Sequence, residues 1–279
     1  MEALTTNFGM PGVVLDHLQR ISTHTFQDAQ PASGRFPVLL YSPGFGSTRY
    51  ESMALVTELV SHGYVVVGMD HAGTSAVVPA HTGEKIVADE GWEDNPEEVG
   101  AQWVEERTQD ARLVLGSLAG TKLAGTVDLE RVGFLGYSIG GGTVAETLRT
   151  DARVQAAMNL GGTFFGKVTQ EGVDKPLLRF NDDPTEPEDA LDIEKENEQV
   201  SKLSGAFYRS AKLTDTQHLS FNDTFAVVPL MGTGLLPHAR SVEVLRHHVR
   251  DWFDHHLLGE PLQLVGTDTP DYPEVVWQY

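Results

Sequence analysis

Hydrophobic and polar positions divide the first third of the chain into short apolar runs and longer amphipathic stretches. Residues 36–41 and 64–69 are brief apolar runs, a pattern typical of strands that are buried on both faces of a parallel sheet. Residues 51–62, between these runs, carry apolar side chains at helical spacing and precede Gly63, a residue that suits the end of a helix. The pattern therefore predicts a strand, a helix and a second strand.

The same alternation continues to the end of the chain. It predicts helices over residues 97–118, 140–149 and 241–258, and strands over 131–136, 154–160, 176–180 and 207–213. Strands that alternate with helices form a mostly parallel sheet with helices on both faces. We therefore predict an α/β fold in which residues 1–279 form one domain.

Two segments interrupt this alternation. Residues 77–95 are rich in Gly, Glu and Asp, and residues 182–205 are acidic and contain Pro184 and Pro187. Both follow predicted strand ends, the side on which open α/β sheets bind ligands. We expect them either to cover a pocket as lid-like insertions or to be solvated excursions with no role in substrate choice.

The pentapeptide Gly136-Tyr137-Ser138-Ile139-Gly140 lies between a predicted strand and a predicted helix. This context turns a common GxSxG string into a nucleophile elbow, in which the serine occupies a strained turn and the glycines let strand and helix approach. Ser138 is therefore the predicted nucleophile. The elbow predicts the α/β-hydrolase fold.

An oxyanion forms when a serine attacks a carbonyl, and it requires backbone N–H donors. Ile139, which follows the serine, supplies the first predicted donor. The second normally comes from the loop after an early strand, and Ser42-Pro43-Gly44-Phe45-Gly46 occupies that position. We assign it to Phe45, with a plain Pro-Gly turn as the alternative.

The predicted base is His218, one of eleven histidines. It follows the predicted strand 207–213, where the chain order of this fold places the histidine. His71 ends a strand and is assigned to the substrate pocket, with a structural hydrogen-bonding role as the alternative. His247, Asp251 and His255 share one helix face, where we prefer a solvated surface to a metal site.

Composition narrows the possible partners. Forty acidic against 20 basic residues give a net charge of −20, which disfavours nucleic acid and anionic lipid surfaces. The absence of cysteine excludes thiolate zinc sites and a cysteine nucleophile.

No apolar stretch is long enough for stable membrane insertion and no signal peptide is visible. We expect a cytoplasmic protein, although a secreted form trimmed of its leader would look the same, and leave homo-oligomerisation open.

We expect a largely apolar pocket for a small apolar substrate, with no metal and no organic cofactor. Four aromatic residues fall in loops near predicted strand ends, and core packing is the alternative for each: Phe45, Trp92, Phe164 and Phe165. Gly44, Tyr137 and Gly161 adjoin the predicted catalytic positions and complete the predicted substrate-binding set.

With these residues assigned, the chain resembles the platelet-activating-factor acetylhydrolase-like branch of the α/β-hydrolases, which includes actinobacterial lipases and esterases. The resemblance is carried by residues 36–46, 61–67, 136–141, 216–218 and 271–275. It implies a serine hydrolase of carboxylic esters in which Ser138, His218, Phe45 and Ile139 keep the roles given above.

One position departs from this branch. Its strand after the nucleophile helix ends in Asn-Leu-Asp-Gly, whose Asp orients the histidine, whereas this chain has Asn159-Leu160-Gly161-Gly162. The acid is either relocated to Asp182 or Asp183 at the end of the next strand, or lost by substitution in an ordinary esterase. In the remaining alternative the scaffold carries out a non-hydrolytic cyclisation, elimination or rearrangement in natural-product biosynthesis.

Overall fold

In the computed structural model, which describes residues 22–23, 25–88, 95–223 and 236–279, a seven-stranded sheet forms the centre of the molecule. Its strands are β1 (Phe36–Ser42), β2 (Val65–Gly68), β5 (Val127–Tyr137), β6 (Val154–Leu160), β7 (Leu177–Asn181), β8 (Tyr208–Leu213) and β9 (Val275–Trp277). Their order is β2-β1-β5-β6-β7-β8-β9, and every neighbouring pair is parallel except β8 and β9. The predicted mostly parallel α/β fold is confirmed.

Helices connect these strands and cover both faces of the sheet. They are α1 (Met53–Ser61), α2 (Pro96–Ser117), α3 (Ile139–Thr150), α4 (Val168–Glu171), α5 (Pro187–Ser204) and α6 (His238–Phe253). A π-helical turn, Asp254–Leu258, continues α6. The start of α2 follows directly from its sequence, because the Asn95 side chain accepts a hydrogen bond from the Glu98 N–H and Pro96 occupies the first turn.

Strand β1 shows why its sequence is continuously apolar. Leu39 and Tyr41 pack into the cluster on one face of the sheet, together with Trp252 and Phe253. Val38 and Leu40 point to the other face, since successive side chains of a strand alternate. Burial on both faces leaves no solvent-facing position in this strand.

Residues 182–205 fold mainly as α5, the crossover helix between β7 and β8. Val200 of this helix is buried in the core, and Glu196 forms an ion pair of 2.6 Å with the buried Arg179 of β7. Residues 77–88 contain a separate antiparallel hairpin of β3 (Val77–Pro79) and β4 (Lys85–Val87). Residues 89–94 lie outside the described residues, and a lid role for either segment stays a prediction.

The carboxyl ends of the parallel strands meet at one edge of the sheet, where they position the candidate site. The segment after β1 holds Phe45, β5 runs into Ser138, β6 into Gly161, β7 into Asp182, and the loop after β8 leads to His218. Within the described ranges, no helix is both long and apolar enough to cross a membrane.

Candidate active site

Ser138 lies at a sharp turn between β5 and α3, with φ 55° and ψ −126°. Backbone in this region is strained for a residue with a side chain. The flanking glycines are required sterically, because a Cβ at Gly136 would lie 2.3 Å from the Gly140 carbonyl oxygen and one at Gly140 would lie 2.1 Å from the Ser42 carbonyl oxygen. Strand and helix therefore pack closely enough to hold the turn, as the elbow motif predicts.

The Oγ atom of Ser138 lies 3.0 Å from Nε2 of His218. The histidine opens a short 3₁₀ turn, His218–Phe221, that follows β8. The Tyr137 hydroxyl donates to the His218 carbonyl oxygen at 3.1 Å, and the Tyr137 ring lies 4.9 Å from the imidazole. The residue before the serine thus holds the backbone of the histidine.

Asp182 and His218 influence each other's protonation. Burial lowers the pKa of the His218 imidazole, and the nearby Asp182 carboxylate acts in the opposite direction. Burial raises the pKa of the Asp182 carboxyl, and the charge of His218 opposes that change. The interaction between the two side chains is coulombic, since no hydrogen bond joins them among the contacts of the described residues.

Asp183, the neighbouring carboxylate, is held elsewhere. It pairs with Lys212 at 2.8 Å and accepts a hydrogen bond of 3.1 Å from the Asp215 N–H. Although burial disfavours its charged form, the Lys212 ammonium and this N–H hold the pKa of Asp183 below its ordinary value. Of the two predicted acids, Asp182 is the one whose charge raises the pKa of the His218 imidazole against the effect of burial.

Gly161 lies against the imidazole of His218. A Cβ built on this residue would be 3.3 Å from Nδ1 and 3.6 Å from Cε1 of His218. Its φ of +62° is in the left-handed region, which favours glycine. Residue 161 is therefore adjacent to the ring nitrogen that an orienting acid contacts.

A cavity of about 330 Å³ opens over the serine and the histidine. Its described lining residues are Phe45, Ser138, Ile139, Gly161, Thr163, Phe165 and His218. The Phe45 ring stacks on Trp103 of α2, with ring centroids 4.7 Å apart and planes 7° from parallel. The two predicted oxyanion residues, Phe45 and Ile139, thus lie at the cavity that contains Ser138.

The helix face that carries His247, Asp251 and His255 uses its side chains for other contacts. His247 bonds the Tyr272 hydroxyl, and Nδ1 of His255 contacts the Glu260 carbonyl oxygen at 2.6 Å. Asp251 accepts hydrogen bonds from the backbone of residues 263–265. Among the residues that the structure describes, no group of three or more His, Asp or Glu side chains could hold a metal ion.

Comparisons with known proteins agree with this architecture. A family model described as platelet-activating factor acetylhydrolase, isoform II, matches residues 18–111. The solved structure of a ferulic acid esterase from Streptomyces cinnamoneus superposes with a TM-score of 0.80 and 31% identity, over 90% of this chain and 76% of that protein. The chain belongs to the platelet-activating-factor acetylhydrolase-like α/β-hydrolases.

Two curated relatives of this hydrolase carry esterase names. A probable 1-alkyl-2-acetylglycerophosphocholine esterase of Arthroderma benhamiae is 27% identical over 260 residues, 86% of this chain and 66% of that protein. A platelet-activating factor acetylhydrolase of Cavia porcellus is 26% identical over 175 residues, 53% of this chain and 40% of that protein. The hydrolase thus spans less than two thirds of the length of either relative.

Two of the predicted substrate-binding residues lie away from the cavity. His71 is buried, with Nε2 3.0 Å from the Ser42 hydroxyl and Nδ1 2.9 Å from Asp110, so the structural alternative applies to it. Phe164 is buried in the core, under the Arg179 guanidinium and against Tyr208. A strand end or a loop position in the sequence does not reveal which way such a side chain turns.

The other members of the predicted set divide between the cavity and its support. Phe165 and Gly161 line the cavity. Gly44 packs against Ser138, because its Cβ position would be 3.4 Å from the Ser138 Cβ, and the buried Tyr137 supports the His218 backbone rather than the lining. Trp92 lies outside the described residues.

Several site residues were missed by the sequence analysis. Thr163 lines the cavity from the loop after β6, two residues beyond Gly161. Trp103, which stacks on Phe45, and Arg107, which donates to the Pro43 carbonyl oxygen at 2.6 Å, belong to the buried stripe of α2, where a charged residue at an apolar position was the available signal. Glu51 accepts the Gly44 N–H at 2.8 Å, and nothing in the sequence pattern distinguished it from other acidic residues near helix starts.

Proposed function

We propose that this hydrolase cleaves carboxylic esters, with Ser138 as the nucleophile and His218 as its base. The observation that carries the proposal is the 3.0 Å contact between Ser138 Oγ and His218 Nε2 at a strained turn. Nucleophile and base within hydrogen-bond reach, at a cavity, are the signature of an activated serine. The esterase and acetylhydrolase names of the relatives support hydrolysis rather than the non-hydrolytic alternative.

The proposed reaction has two halves. Ser138 Oγ attacks the ester carbonyl carbon while Nε2 of His218 accepts its proton, and the oxyanion is bound by the N–H groups of Phe45 and Ile139. The intermediate collapses to an acyl-serine, and the alcohol leaves with the proton from His218. Water then attacks the acyl group with His218 again as base, which releases the acid and regenerates the hydroxyl.

Asp182 is our proposed third member. A carboxylate near the histidine stabilises the imidazolium that forms in each half-reaction. The coulombic interaction between Asp182 and His218 supports this role, whereas Asp183 is paired with Lys212. The order Ser138, Asp182, His218 is also the chain order of this fold.

The cavity supports an ester with a compact apolar acyl group. About 330 Å³ of space lies between the Phe45 and Phe165 side chains and the serine, a size that suits small ligands. The relatives' names refer to an acetyl ester and to a ferulic acid ester. An acetyl group and a planar aromatic acyl group are therefore the two acyl classes that we propose to test.

A fluorophosphonate probe and p-nitrophenyl acetate test the proposal. We expect the probe to label Ser138, and Ser138→Ala to abolish both labelling and turnover while the far-UV circular dichroism stays unchanged. Ser117→Ala is the matched control, because Ser117 is an exposed residue at the end of α2. Ester turnover that survives Ser138→Ala would refute the assignment of the nucleophile.

A further inference from the structure

Two charged side chains, those of Arg107 and Glu51, hold the loop that supplies the proposed oxyanion donor. Arg107, on α2, is fully buried, and its Nη1 donates to the Pro43 carbonyl oxygen at 2.6 Å. The Gly44 N–H donates to Oε1 of Glu51 at 2.8 Å. These two groups belong to one peptide unit, so a guanidinium holds its carbonyl end and a carboxylate holds its N–H end.

The next peptide unit is fixed in turn. The Gly44 carbonyl oxygen accepts from the Ser47 N–H at 3.4 Å, and the Gly46 N–H donates to the Thr74 carbonyl oxygen at 2.9 Å. Arg107 also donates to the hydroxyl of Thr74 at 2.8 Å. The Gly44–Phe45 peptide carries the proposed oxyanion N–H. On one side, Arg107 and Glu51 bind the preceding peptide directly, and on the other side Arg107 binds Thr74, which accepts the Gly46 N–H.

Glu51 also connects this loop to the segment that carries the histidine. The Asp223 N–H, two residues after the 3₁₀ turn of His218, donates to the Glu51 carbonyl oxygen at 2.7 Å. The Asp223 carboxylate accepts from the Ala54 N–H at 2.9 Å. The start of α1 thus bonds both the oxyanion loop and the histidine segment.

We propose that Glu51 is a positioning residue for ester hydrolysis, which acts with Arg107 to orient the Phe45 N–H and does so only while its carboxylate is ionised. This inference rests on the proposed function. A neutral carboxyl is a weaker acceptor for the Gly44 N–H, and it removes one of the two carboxylate charges, of Glu51 and Asp110, that offset the buried Arg107 guanidinium. Protonation of Glu51 therefore loosens the loop and lowers the rate of the chemical step.

The surroundings of Glu51 place this ionisation near neutral pH. Burial raises the pKa of Glu51 to about 7, against hydrogen bonds and the charge of Arg107 that act in the opposite direction. Tyr41 of β1 donates its hydroxyl to Oε1 of Glu51 at 2.8 Å, and burial together with the charge of Glu51 raises the pKa of Tyr137 on β5. The charge of Asp223, in the segment that follows His218, adds to the burial that raises the pKa of Tyr41.

The test compares Glu51→Ala and Glu51→Gln in the full chain, with Glu130→Ala and Glu130→Gln as controls. Glu130 is exposed near the opposite end of β5 from Ser138. We expect Glu51→Ala to lower kcat for p-nitrophenyl acetate at pH 8 by about tenfold to a hundredfold with KM nearly unchanged, since misplacement of a catalytic group costs this much. Glu51→Gln mimics the protonated carboxyl, so its kcat at pH 8 should also be lowered, to the level that the wild type reaches once Glu51 is protonated.

The pH profile separates positioning from a merely structural role. In the wild type we expect kcat to fall as the pH drops through about 7. In Glu51→Gln the fall should move below pH 6.5, the ordinary histidine value, because His218 then controls it. An unchanged profile in Glu51→Gln overturns the proposal, as does a Glu51→Ala variant that turns over like Glu130→Ala.

Two controls distinguish a positioning role of Glu51 from failure of the proposed function and from loss of folding. A wild type that neither hydrolyses the ester nor reacts with the fluorophosphonate refutes the proposed function itself, before any Glu51 variant is compared. If Glu51→Ala loses its native circular dichroism, the pH profile of the near-isosteric Glu51→Gln decides alone.

Discussion

Gly161 lies against the His218 imidazole, so that a Cβ on residue 161 would be 3.3 Å from Nδ1. The resemblance places the orienting acid of the branch at this residue. A different carboxylate, that of Asp182, raises the pKa of the same histidine against the effect of burial. Residue 161 and residue 182 are thus the two positions that we propose to compare as hosts of the acid.

The first prediction concerns rescue by an acid at position 161. Asp182→Asn should lower kcat, and adding Gly161→Asp should then raise it by about tenfold or more, because a triad without its acid loses about 10⁴ in turnover. In the wild-type background the gain should stay below about threefold, since our proposal assigns the role of the acid to Asp182 there. Steady-state kinetics with p-nitrophenyl acetate measure both effects.

Gly161→Ala in both backgrounds is the matched control, because it adds the Cβ at φ +62° without a carboxylate. A large gain from Gly161→Asp in the wild-type background would instead support loss of the acid by substitution in an ordinary esterase.

The second prediction distinguishes the adjacent carboxylates. Asp182→Asn should lower kcat by about a hundredfold or more and shift the His218 ionisation to lower pH. The Asp182 carboxylate raises the pKa of the imidazole and burial lowers it. Removing the carboxylate leaves only the effect of burial, so the pKa of His218 falls further. Asp183→Asn, which removes the ion pair with Lys212 and leaves one acceptor oxygen where Lys212 and the Asp215 N–H now use two, should keep kcat within about threefold. Equal losses in both variants would contradict the assignment.

The third prediction concerns the strained turn at Ser138, with φ 55°. Ser138→Gly should be more stable than Ser138→Ala by about 1–2 kcal/mol, because glycine adopts this backbone without the steric cost of a Cβ. Urea unfolding of the two inactive variants measures the difference. Equal unfolding midpoints with equal m-values would show that the turn stores no such strain.

The fourth prediction concerns Gly100, which packs behind the Phe165 ring and whose substitution should narrow the cavity. A Cβ at Gly100 would lie 2.6 Å from the Phe165 ring, and Phe165 lines the cavity. Gly100→Ala should therefore push the ring toward the serine and lower kcat/KM for aromatic acyl esters by about tenfold, while acetyl esters lose less than about twofold.

A variant with an enlarged cavity provides the comparison. Phe165→Ala enlarges the cavity and should shift the preference toward the larger acyl group. Parallel losses for both ester classes in Gly100→Ala would show that Phe165 does not set acyl size.

Local patterns in the sequence predicted most strands and helices of the central sheet and two members of the candidate site, although they predicted neither helix α5 nor strand β9. The two-sided burial of β1 requires an uninterrupted apolar run, and the α2 helix begins where Asn95 and Pro96 stand, because these effects act over a few residues. Ser138 could be chosen because the elbow requires glycines at fixed offsets. His218 could be chosen because parallel strands end at a common edge.

The tertiary structure alone decided which side chains meet at that edge. Asp182 and Asp183 are neighbours in sequence, yet the charge of His218 lowers the pKa of the first against the effect of burial, while the second pairs with Lys212. Phe164 and Phe165 separate into core and cavity in the same way. The contact of Glu51 and Arg107 with one peptide of the oxyanion loop joins segments distant in sequence, and no local pattern encodes such a contact.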